Sequence, residues 1–462
     1  MNTFRPVAAL LALAALCAEE VQPPVAPAAP AAVPAVAPAA PAAVPVAAAP
    51  AAATGLSLDQ AIALALARNE TPEIAITRIE AAQATVTRAS AALRPSIVLS
   101  GSLATNDQDD LPWGGDANET AAWNIAAELG LLRASAWSNL SSAKYALRAQ
   151  QLESLEQKRV FAFAVAGVFI NALAAERQVN AAERRLEVSQ ASVADAKARL
   201  QAGLSIRTDV TRAELEEATA HLSVTRARNL VTTTRLALAD LIVAPLDGAL
   251  EIPTAIDVPS GDGEVLQRLA LAYRADLRAL QFREAAAEQN VRAAYGRWVP
   301  DITARAVASD FDTNDPERAH ADKTTEVTLS LTASWALYDG GDRGGAIDQA
   351  KAARRETGLG RTQQLRGLRK DLLTGLADLQ TAEAALAQAE ARDRLAKANA
   401  DEIRARYKQG LATALEDADA ISGQFEAESG LVAAQLQRAR SRLDLRQLAG
   451  MWPLTDREPG GK

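Results

Sequence analysis

The sequence predicts a mostly α-helical protein with a small β-sheet of the membrane-barrel type, arranged as a repeated series of a helix, a strand pair and two long helices. Three observations predict this fold class. The two halves of the chain resemble each other, short segments alternate apolar and polar residues, and long proline-free segments carry apolar residues at heptad spacing. The composition agrees, because only 4% of the residues are aromatic and alanine is abundant, which suits long helices packed through small side chains.

The N-terminal part is predicted to contain a targeting segment and a spacer. Residues 1–18 have the basic start, apolar middle and small-residue end of a secretory signal peptide, and the apolar stretch is shorter than the roughly 18 residues of a spanning helix. Cys17, the only cysteine, lies where a lipoprotein carries its acylated residue, although Leu16 is bulkier than the residue usual before it. Residues 19–54 are nearly all Pro, Ala and Val, as in an extended linker.

The rest of the chain repeats itself. The sequence around Pro95 resembles that around Pro300, 205 residues later, and the sequence before Gly203 resembles that before Gly410, 207 residues later. A repeat of this length is too long for a solenoid unit and indicates an internal duplication. The predicted segments are a first structural repeat, 55–250, a second structural repeat, 251–452, and a flexible C-terminal tail, 453–462.

Each half contains a predicted strand pair, followed in the chain by helices. Apolar and polar side chains alternate in 96–103, 123–131 and 327–338, and less clearly in 302–309. A soluble sheet with one wet face also alternates. Five of the six tryptophans, however, lie in or beside these segments, as in the aromatic girdle of a membrane barrel: Trp113, Trp123, Trp137, Trp298 and Trp335. Polar loops, 106–120 and 310–325, lie between the paired strands, like the long outer loops of bacterial barrels.

Four strands predict oligomerisation. The smallest membrane barrels have about eight strands, and an open sheet edge is not tolerated in lipid. Two copies of the chain would supply eight strands and three copies twelve. A barrel of about eight strands fills with its own side chains, so an open lumen favours three or more copies.

The helical segments carry a second pattern. In the first half, apolar or small residues recur with a seven-residue period and predict a coiled-coil seam: Val179, Ala182, Leu186, Ser189, Val193, Ala196 and Leu200. The second half repeats the pattern with Leu365, Leu368, Leu372, Leu376 and Leu379. Four glycines in that half predict local weakening of the helix: Gly358, Gly360, Gly367 and Gly375. Taken alone, these helices also fit a soluble coiled coil.

Four short motifs, in this order, resemble the TolC-like outer membrane efflux protein family over residues 55–452: LSLDQA at 56–61, LRPS at 93–96, WALYDGG at 335–341 and YKQG at 407–410. The resemblance implies a homotrimer whose twelve-stranded barrel in outer-membrane lipid continues as a periplasmic α-helical barrel. It implies a passive outer-membrane channel of a tripartite efflux pump or a type I secretion system. The implied partners are a periplasmic adaptor (membrane fusion) protein and an inner-membrane transporter or ATPase.

The resemblance also implies site residues at the periplasmic tip. The aperture ring falls on Glu416 and Asp419, with Asp417 as an additional carboxylate. In a trimer, three copies of these carboxylates around one axis would bind cations and raise one another's pKa. The alternative is a helix N-terminus whose acids complement the helix dipole. The gate latch falls on Tyr407 and Asp209, but Ala412 stands where the family has an arginine, and Tyr407 is equally explained as a packed aromatic residue.

The glycine pair Gly340 and Gly341 predicts a strand-to-helix hinge, extended by Gly344 and Gly345. A phosphate-binding loop is less favoured because no Lys-Ser/Thr follows.

Other classes of function are not predicted. The reactive residues His221, His320 and Cys17 are far apart in sequence, so we expect neither an enzyme nor a metal or cofactor site. The net charge of -8, without a basic patch interleaved with aromatics, argues against nucleic acid. The alternative function is a periplasmic coiled-coil adaptor or scaffold, which would not need two matched strand pairs.

Overall fold

The computed structural model describes residues 55–106, 118–203, 205–246, 248–251, 256–258, 261–313 and 326–454. These residues form eight helices and one four-stranded antiparallel sheet, so the predicted mostly helical fold with a small sheet is confirmed. The signal peptide, the linker, Cys17, Trp113, His320 and most of the two polar loops lie outside the described residues, as does most of the predicted tail.

The helices are α1 (Leu58–Arg68), α2 (Glu70–Ala91), α3 (Ala134–Gln201), α4 (Arg207–Ile242), α5 (Gly263–Tyr273), α6 (Ala275–Gly296), α7 (Asp342–Lys408) and α8 (Ala414–Leu448). The strands are β1 (Ser96–Asn106), β2 (Asn118–Leu132), β3 (Asp301–Thr313) and β4 (Glu326–Ser334). The two halves have the same order of elements, but each has two helices before its strand pair, where the sequence predicted one. Their helices have nearly equal lengths, for example 68 residues in α3 against 67 in α7, and 36 in α4 against 35 in α8.

The described chain divides into two compact units. The sheet unit consists of Gln83–Tyr145 and Ala285–Arg355, and contains all four strands together with the helix segments that flank them. The helical unit consists of 55–82, Ala146–Glu284 and 356–454.

The strands pair in the order β1-β2-β3-β4, which leaves β1 and β4 as the edges of the sheet within the described chain. The register places apolar side chains in rows across one face, as in the rows Ile97–Ala127–Ala306–Leu329 and Leu99–Ile125–Ala308–Val327. The opposite face carries polar rows such as Ser96–Glu128–Arg305–Ser330. The sequence alternation therefore predicted the two faces of the sheet correctly.

The last predicted strand is shorter than expected. Alternation continues to Tyr338, but β4 ends at Ser334 because its partner there, Asp301, is the first residue of β3. Beyond that point, the Nε1 atom of Trp335 donates a hydrogen bond to the carbonyl oxygen of Trp298 at 3.2 Å. The strand ladder thus stops where the partner strand stops, a limit that the alternation does not reveal.

The core of the helical unit forms around the middle of α3. Phe161, Val165 and Phe169 pack there against Leu58 and Ile62 of α1 and against apolar residues of α4. Among the described helices, α3 alone is long and apolar enough to pass a composition test for a membrane span. Of its most apolar stretch of 18 residues, 56% is buried inside the protein, as expected for a core helix.

The heptad predictions are largely confirmed. Ala182, Ser189, Val193 and Ala196 are buried, and Ala182 packs in a cluster with residues of α4 and with Phe425 of α8. The prediction is wrong for Leu200, which is 37% exposed.

In the second half, Leu368 and Leu372 are the buried centre of a cluster that includes the other three predicted leucines. The expected weakening at the four glycines produces no break, since α7 is continuous from Asp342 to Lys408. Gly375 has a packing role, because a Cβ atom there would lie 3.2 Å from Leu448 and 3.4 Å from Leu445 of α8.

Candidate functional site

The ends of the long helices form two turns in the helical unit. Helix α3 is followed by Gly203 at φ +72°, and α7 is followed by Gly410 at φ +80°. The amide of Gly410 donates to the carbonyl oxygen of Tyr407 at 3.0 Å, and the amide of Leu411 donates to that of Arg406 at 2.9 Å. These bonds satisfy carbonyl groups that the end of the helix leaves free. The two turns define what we call the tip of each helical hairpin, α3–α4 and α7–α8.

Glu416 lies in the first turn of α8 and belongs to a capping box with Thr413. Its carboxylate accepts hydrogen bonds from the amide of Thr413 at 2.7 Å and from the Thr413 hydroxyl at 2.9 Å, while the Glu416 amide donates to that hydroxyl at 3.3 Å. The backbone and side-chain bonds from Thr413 lower the pKa of Glu416. The sequence led us to expect a raised pKa from three neighbouring copies, whereas the contacts within one chain act in the opposite direction.

The other two predicted ring carboxylates differ in exposure. Asp419 is exposed on α8. Asp417 is buried at 4% exposure, and its Oδ2 atom accepts a hydrogen bond from Ser192 of α3 at 3.1 Å. Its Oδ1 atom is buried without a hydrogen-bond partner among the described residues. The chain therefore exposes Glu416 and Asp419 on the first turns of α8 and turns Asp417 towards α3.

The predicted latch residues lie near each other but bond differently from the expectation. Asp209 accepts hydrogen bonds from the Ser205 hydroxyl at 2.7 Å and from the Ile206 amide at 3.4 Å. Tyr407 is buried, and its ring packs under the guanidinium of Arg199, whose carbon lies 4.2 Å from the ring centroid. Arg199 also donates a hydrogen bond to the backbone carbonyl oxygen of Tyr407. Ala412 is half-buried in the turn.

Burial raises the pKa of Tyr407, and the positive charge of Arg199 opposes that shift. The negative charges of Asp209, Asp417 and Asp195 raise the pKa further. Tyr407 is therefore protonated at neutral pH, and the side chain that contacts it is Arg199. Among the hydrogen bonds of the described residues, none uses the Tyr407 hydroxyl.

The predicted hinge connects β4 to α7. Gly340 has φ +67° and Gly341 has φ +97°, conformations that other L-residues adopt rarely or not at all. Gly344 and Gly345, predicted to extend the hinge, instead lie in the first turn of α7. They are not part of the hinge, because α7 already begins at Asp342. The amide of Gly345 donates a helical hydrogen bond to the carbonyl oxygen of Gly341 at 2.9 Å.

Asp339 fixes the geometry of this hinge. Its carboxylate accepts hydrogen bonds from the Gly341 amide at 3.1 Å, from the Arg343 amide at 3.1 Å and from Nε of Arg343 at 2.6 Å. The side-chain bond with Arg343 is the main reason that the pKa of Asp339 is lowered. Arg343 is buried and lies over the ring of Trp298, 4.2 Å from its centroid. The carboxylate thus caps α7 and neutralises a buried arginine.

No group of three or more His, Cys, Asp or Glu side chains that could hold a metal ion is present among the residues with described positions. The described side-chain contacts at the tip and at the hinge are hydrogen bonds and cation–π contacts within the chain itself.

The fold and these features together define a class of protein. A four-stranded antiparallel sheet with one exposed apolar face, in a chain whose eight described helices include the long α3 and α7, is a fold that this chain shares with solved outer-membrane channels. The structure of CusC matches 85% of this chain and 92% of its own, with a TM-score of 0.76 and 17% identity. The outer membrane channel CmeC of Campylobacter jejuni matches 87% of each chain, with a TM-score of 0.75 and 15% identity.

The sequence shows the family. The model of the outer membrane efflux protein family matches residues 61–242 and 266–451, so the chain belongs to the outer membrane efflux protein family. The outer membrane efflux protein BepC of Brucella suis is 28% identical over 169 residues. That match spans 37% of this chain and 36% of BepC. The resemblance to TolC-like proteins predicted from four short motifs is confirmed.

Sequence reasoning missed several residues that hold these sites. Arg199 and Ser192 of α3 contact the second hairpin, and Asp339 and Arg343 hold the hinge. Ser192 and Arg199 are seven residues apart, so heptad spacing of polar residues was a signal for the first two. Asp339 followed by a Gly-Gly pair was a signal for the hinge cap.

Proposed function

We propose that this chain is one protomer of a homotrimeric outer-membrane channel. In this proposal, three four-stranded sheets close a twelve-stranded barrel in outer-membrane lipid, and the helices continue as a periplasmic α-helical barrel. The observation that carries the proposal is the open sheet, whose edge strands β1 and β4 have no strand partner on their outer sides in the described chain. Unpaired backbone groups are costly in lipid, so these edges require further copies.

The two faces of the sheet support the same arrangement. Leu99, Leu103, Leu329 and Leu331 are between 69% and 76% exposed, and all four lie on the apolar face. A soluble protein rarely leaves such a continuous apolar surface bare, whereas a barrel presents one to lipid. The polar face, which includes Glu128 and its ion pair with Arg133 at 2.8 Å, then lines the lumen.

The cellular role follows from family membership. The channel is the outer-membrane component of a tripartite efflux pump or a type I secretion system, and it is a passive conduit. An inner-membrane transporter or ATPase supplies the energy, and a periplasmic adaptor connects that protein to the channel. A coiled-coil adaptor or scaffold is less favoured, because such a protein has no use for an exposed apolar sheet. Catalysis has no role in this proposal.

Two matched substitutions on neighbouring residues of β4 test the barrel. Leu329→Lys puts a charge on the apolar face, where lysine near the bilayer midplane costs about 2–4 kcal/mol. Ser330→Lys puts the same charge on the polar face. We expect heat-modifiable trimers, stable in sodium dodecyl sulfate, from outer-membrane fractions of the wild type and Ser330→Lys, and far fewer from Leu329→Lys. A wild-type protein found only in the soluble periplasmic fraction would favour the adaptor.

We further propose that Glu416 and Asp419 form an acidic ring at the tip. Both are exposed in the first turns of α8, and three copies place six carboxylates around one axis. Asp417 is left out of the ring because it is buried against α3. Such a ring would attract divalent cations and select for positive charge at the entrance.

Replacing the two carboxylates by neutral amides tests the proposed acidic ring. The double variant Glu416→Gln/Asp419→Asn retains a glutamine in the capping box, so the start of α8 is preserved. We expect weaker block by divalent cations in planar lipid bilayers. The matched control, Glu390→Gln/Asp401→Asn, removes two exposed carboxylates from α7 and should leave the block unchanged. Equal block in both double variants would reject the ring.

A further inference from the structure

Three polar residues on α3 contact neighbouring helices at heptad spacing: Arg185, Ser192 and Arg199. The first, Arg185, lies over the ring of Phe425 of α8, 4.6 Å from its centroid, and bonds Glu216 of α4 at 2.7 Å. Ser192 donates to Asp417 of α8, and Arg199 contacts Tyr407 of α7. We call these residues the polar stripe. Each member comes one residue before an apolar seam residue, Leu186, Val193 or Leu200, and polar contacts at such flanking positions of a coiled coil set partner choice and orientation.

Arg199 is the member of the polar stripe closest to the tip, only four residues before Gly203. Its guanidinium makes two contacts with one residue, the stacking on the Tyr407 ring at 4.2 Å and the hydrogen bond to the Tyr407 carbonyl oxygen. That carbonyl lies in the last turn of α7, where the helix dipole presents partial negative charge. A planar guanidinium can stack and donate at once, which a lysine ammonium cannot do as well.

The surroundings of Tyr407 favour a cation at this position. Asp195 lies on α3, Asp209 on α4 and Asp417 on α8, so negative charges on three helices act on Tyr407 and raise its pKa. Asp417 leaves one buried oxygen without a hydrogen-bond partner among the described residues. Removing Arg199 would leave these negative charges uncompensated beside a buried ring.

We infer that Arg199 is the clamp that fastens the tips of the two helical hairpins within a protomer, and that it acts through the ring and the backbone carbonyl of Tyr407. The hydroxyl of Tyr407 is not needed for this clamp. When the contacts of Arg199 with Tyr407 break, the tips of the two hairpins can separate. The contacts of Arg185 and Ser192 still hold the hairpins together farther from the turn. The clamp controls the entrance of the channel if the proposed function is correct, and its geometry within one chain is independent of that function.

Trypsin cleavage after Arg406 and Lys408, in the last turn of α7, measures release of the tip directly. Local opening governs cleavage when opening and closing are fast. We expect Arg199→Ala to accelerate cleavage about tenfold, the size expected from losing a partly buried cation–π contact and its hydrogen bond. Arg199→Lys should lie between Arg199→Ala and the wild type. Tyr407→Ala should match Arg199→Ala, and Tyr407→Phe should match the wild type.

The matched control is Arg207→Ala, which removes an exposed arginine from the first turn of α4, eight residues from Arg199. Equal cleavage rates in Arg199→Ala and Arg207→Ala would overturn the clamp. Cleavage of Tyr407→Phe as fast as that of Arg199→Ala would overturn the role of the ring and assign the contact to the hydroxyl. Far-ultraviolet circular dichroism of each variant confirms that the helices are intact.

Conductance in planar bilayers then separates this inference from the proposed function. With a functional channel, Arg199→Ala raises the resting conductance above that of the wild type and Arg207→Ala. If the wild type itself forms no channel, the proposed function fails, and the proteolysis result still decides on the clamp. If the wild type conducts and Arg199→Ala has unchanged conductance and unchanged cleavage, the clamp fails and the channel stands.

Discussion

Substituting alanine for a glycine in the hinge should destabilise the protein, whereas the same substitution four residues later should stabilise it. Gly341 has φ +97°, outside the small left-handed region that L-residues occupy. Alanine at this position is expected to cost about 1–3 kcal/mol. Gly345 lies in the first turn of α7, where a Cβ atom meets nothing within 4 Å, and alanine is favoured over glycine in a helix by about 0.8–1 kcal/mol.

The free energies of unfolding of Gly341→Ala and Gly345→Ala should therefore differ by roughly 2–4 kcal/mol, although the chemical change is the same. Neither position is crowded, since a Cβ atom at Gly341 also meets nothing within 4 Å. The difference thus measures backbone conformation alone. Gly340→Ala, at φ +67°, should cost less than Gly341→Ala, about 1–2 kcal/mol, because that conformation lies within the left-handed region.

The assay is thermal unfolding in detergent, followed by circular dichroism at 222 nm, a standard wavelength for helix content. We expect the midpoint to fall for Gly341→Ala, to fall less for Gly340→Ala and to rise for Gly345→Ala. The reasoning is refuted if Gly341→Ala and Gly345→Ala shift the midpoint equally, because the hinge would then tolerate a side chain and the positive φ would carry no strain.

Four further predictions concern the cap of α8, its pH dependence, a buried ion pair and the tip. Thr413→Ala removes an N-cap and should cost about 1 kcal/mol. The pKa of Glu416 is lowered in the folded state, so its contribution to stability is fully present above the ordinary pKa of 4.5. That contribution is lost as pH falls through the folded-state pKa. The free energies of unfolding of the wild type and Glu416→Gln should therefore converge in acid. Arg159→Ala leaves the buried Glu156, bonded at 2.5 Å, without its partner and should lower the free energy of unfolding by about 3–5 kcal/mol, whereas Arg159→Met/Glu156→Gln should cost less. Ala412→Arg should lower the resting conductance in bilayers, and an unchanged conductance would show that this position no longer contributes to closure.

Much of the fold could be predicted from the sequence because it depends on periodicity. The alternation from Val327 onwards predicted which face of β4 is apolar, and the heptads predicted the buried positions Ala182 and Leu372. The prediction of several copies came from the strand count. Periodicity did not reveal element ends, since β4 stops at Ser334 where β3 has no further residue to pair.

The candidate site was only partly predictable. The motif around Tyr407 and the glycine pair at Gly340 located the tip and the hinge along the chain. The family pattern, however, suggested a contact between Tyr407 and Asp209, whereas Arg199 makes the contact in this chain. Likewise, three acids close together in sequence appeared equivalent, but the 100° rotation per helical residue turns Asp417 inward while Glu416 and Asp419 stay exposed.

The sequence by itself determined the strands, the long helices, the two faces of the sheet and the family, because each of these follows from the local order of residue types. The tertiary structure decided which side chains meet across helices. Arg199 is 208 residues from Tyr407, and Ser192 is 225 residues from Asp417. Contacts over such separations depend on how helices are set against one another, and one residue of rotation is enough to replace one partner with another.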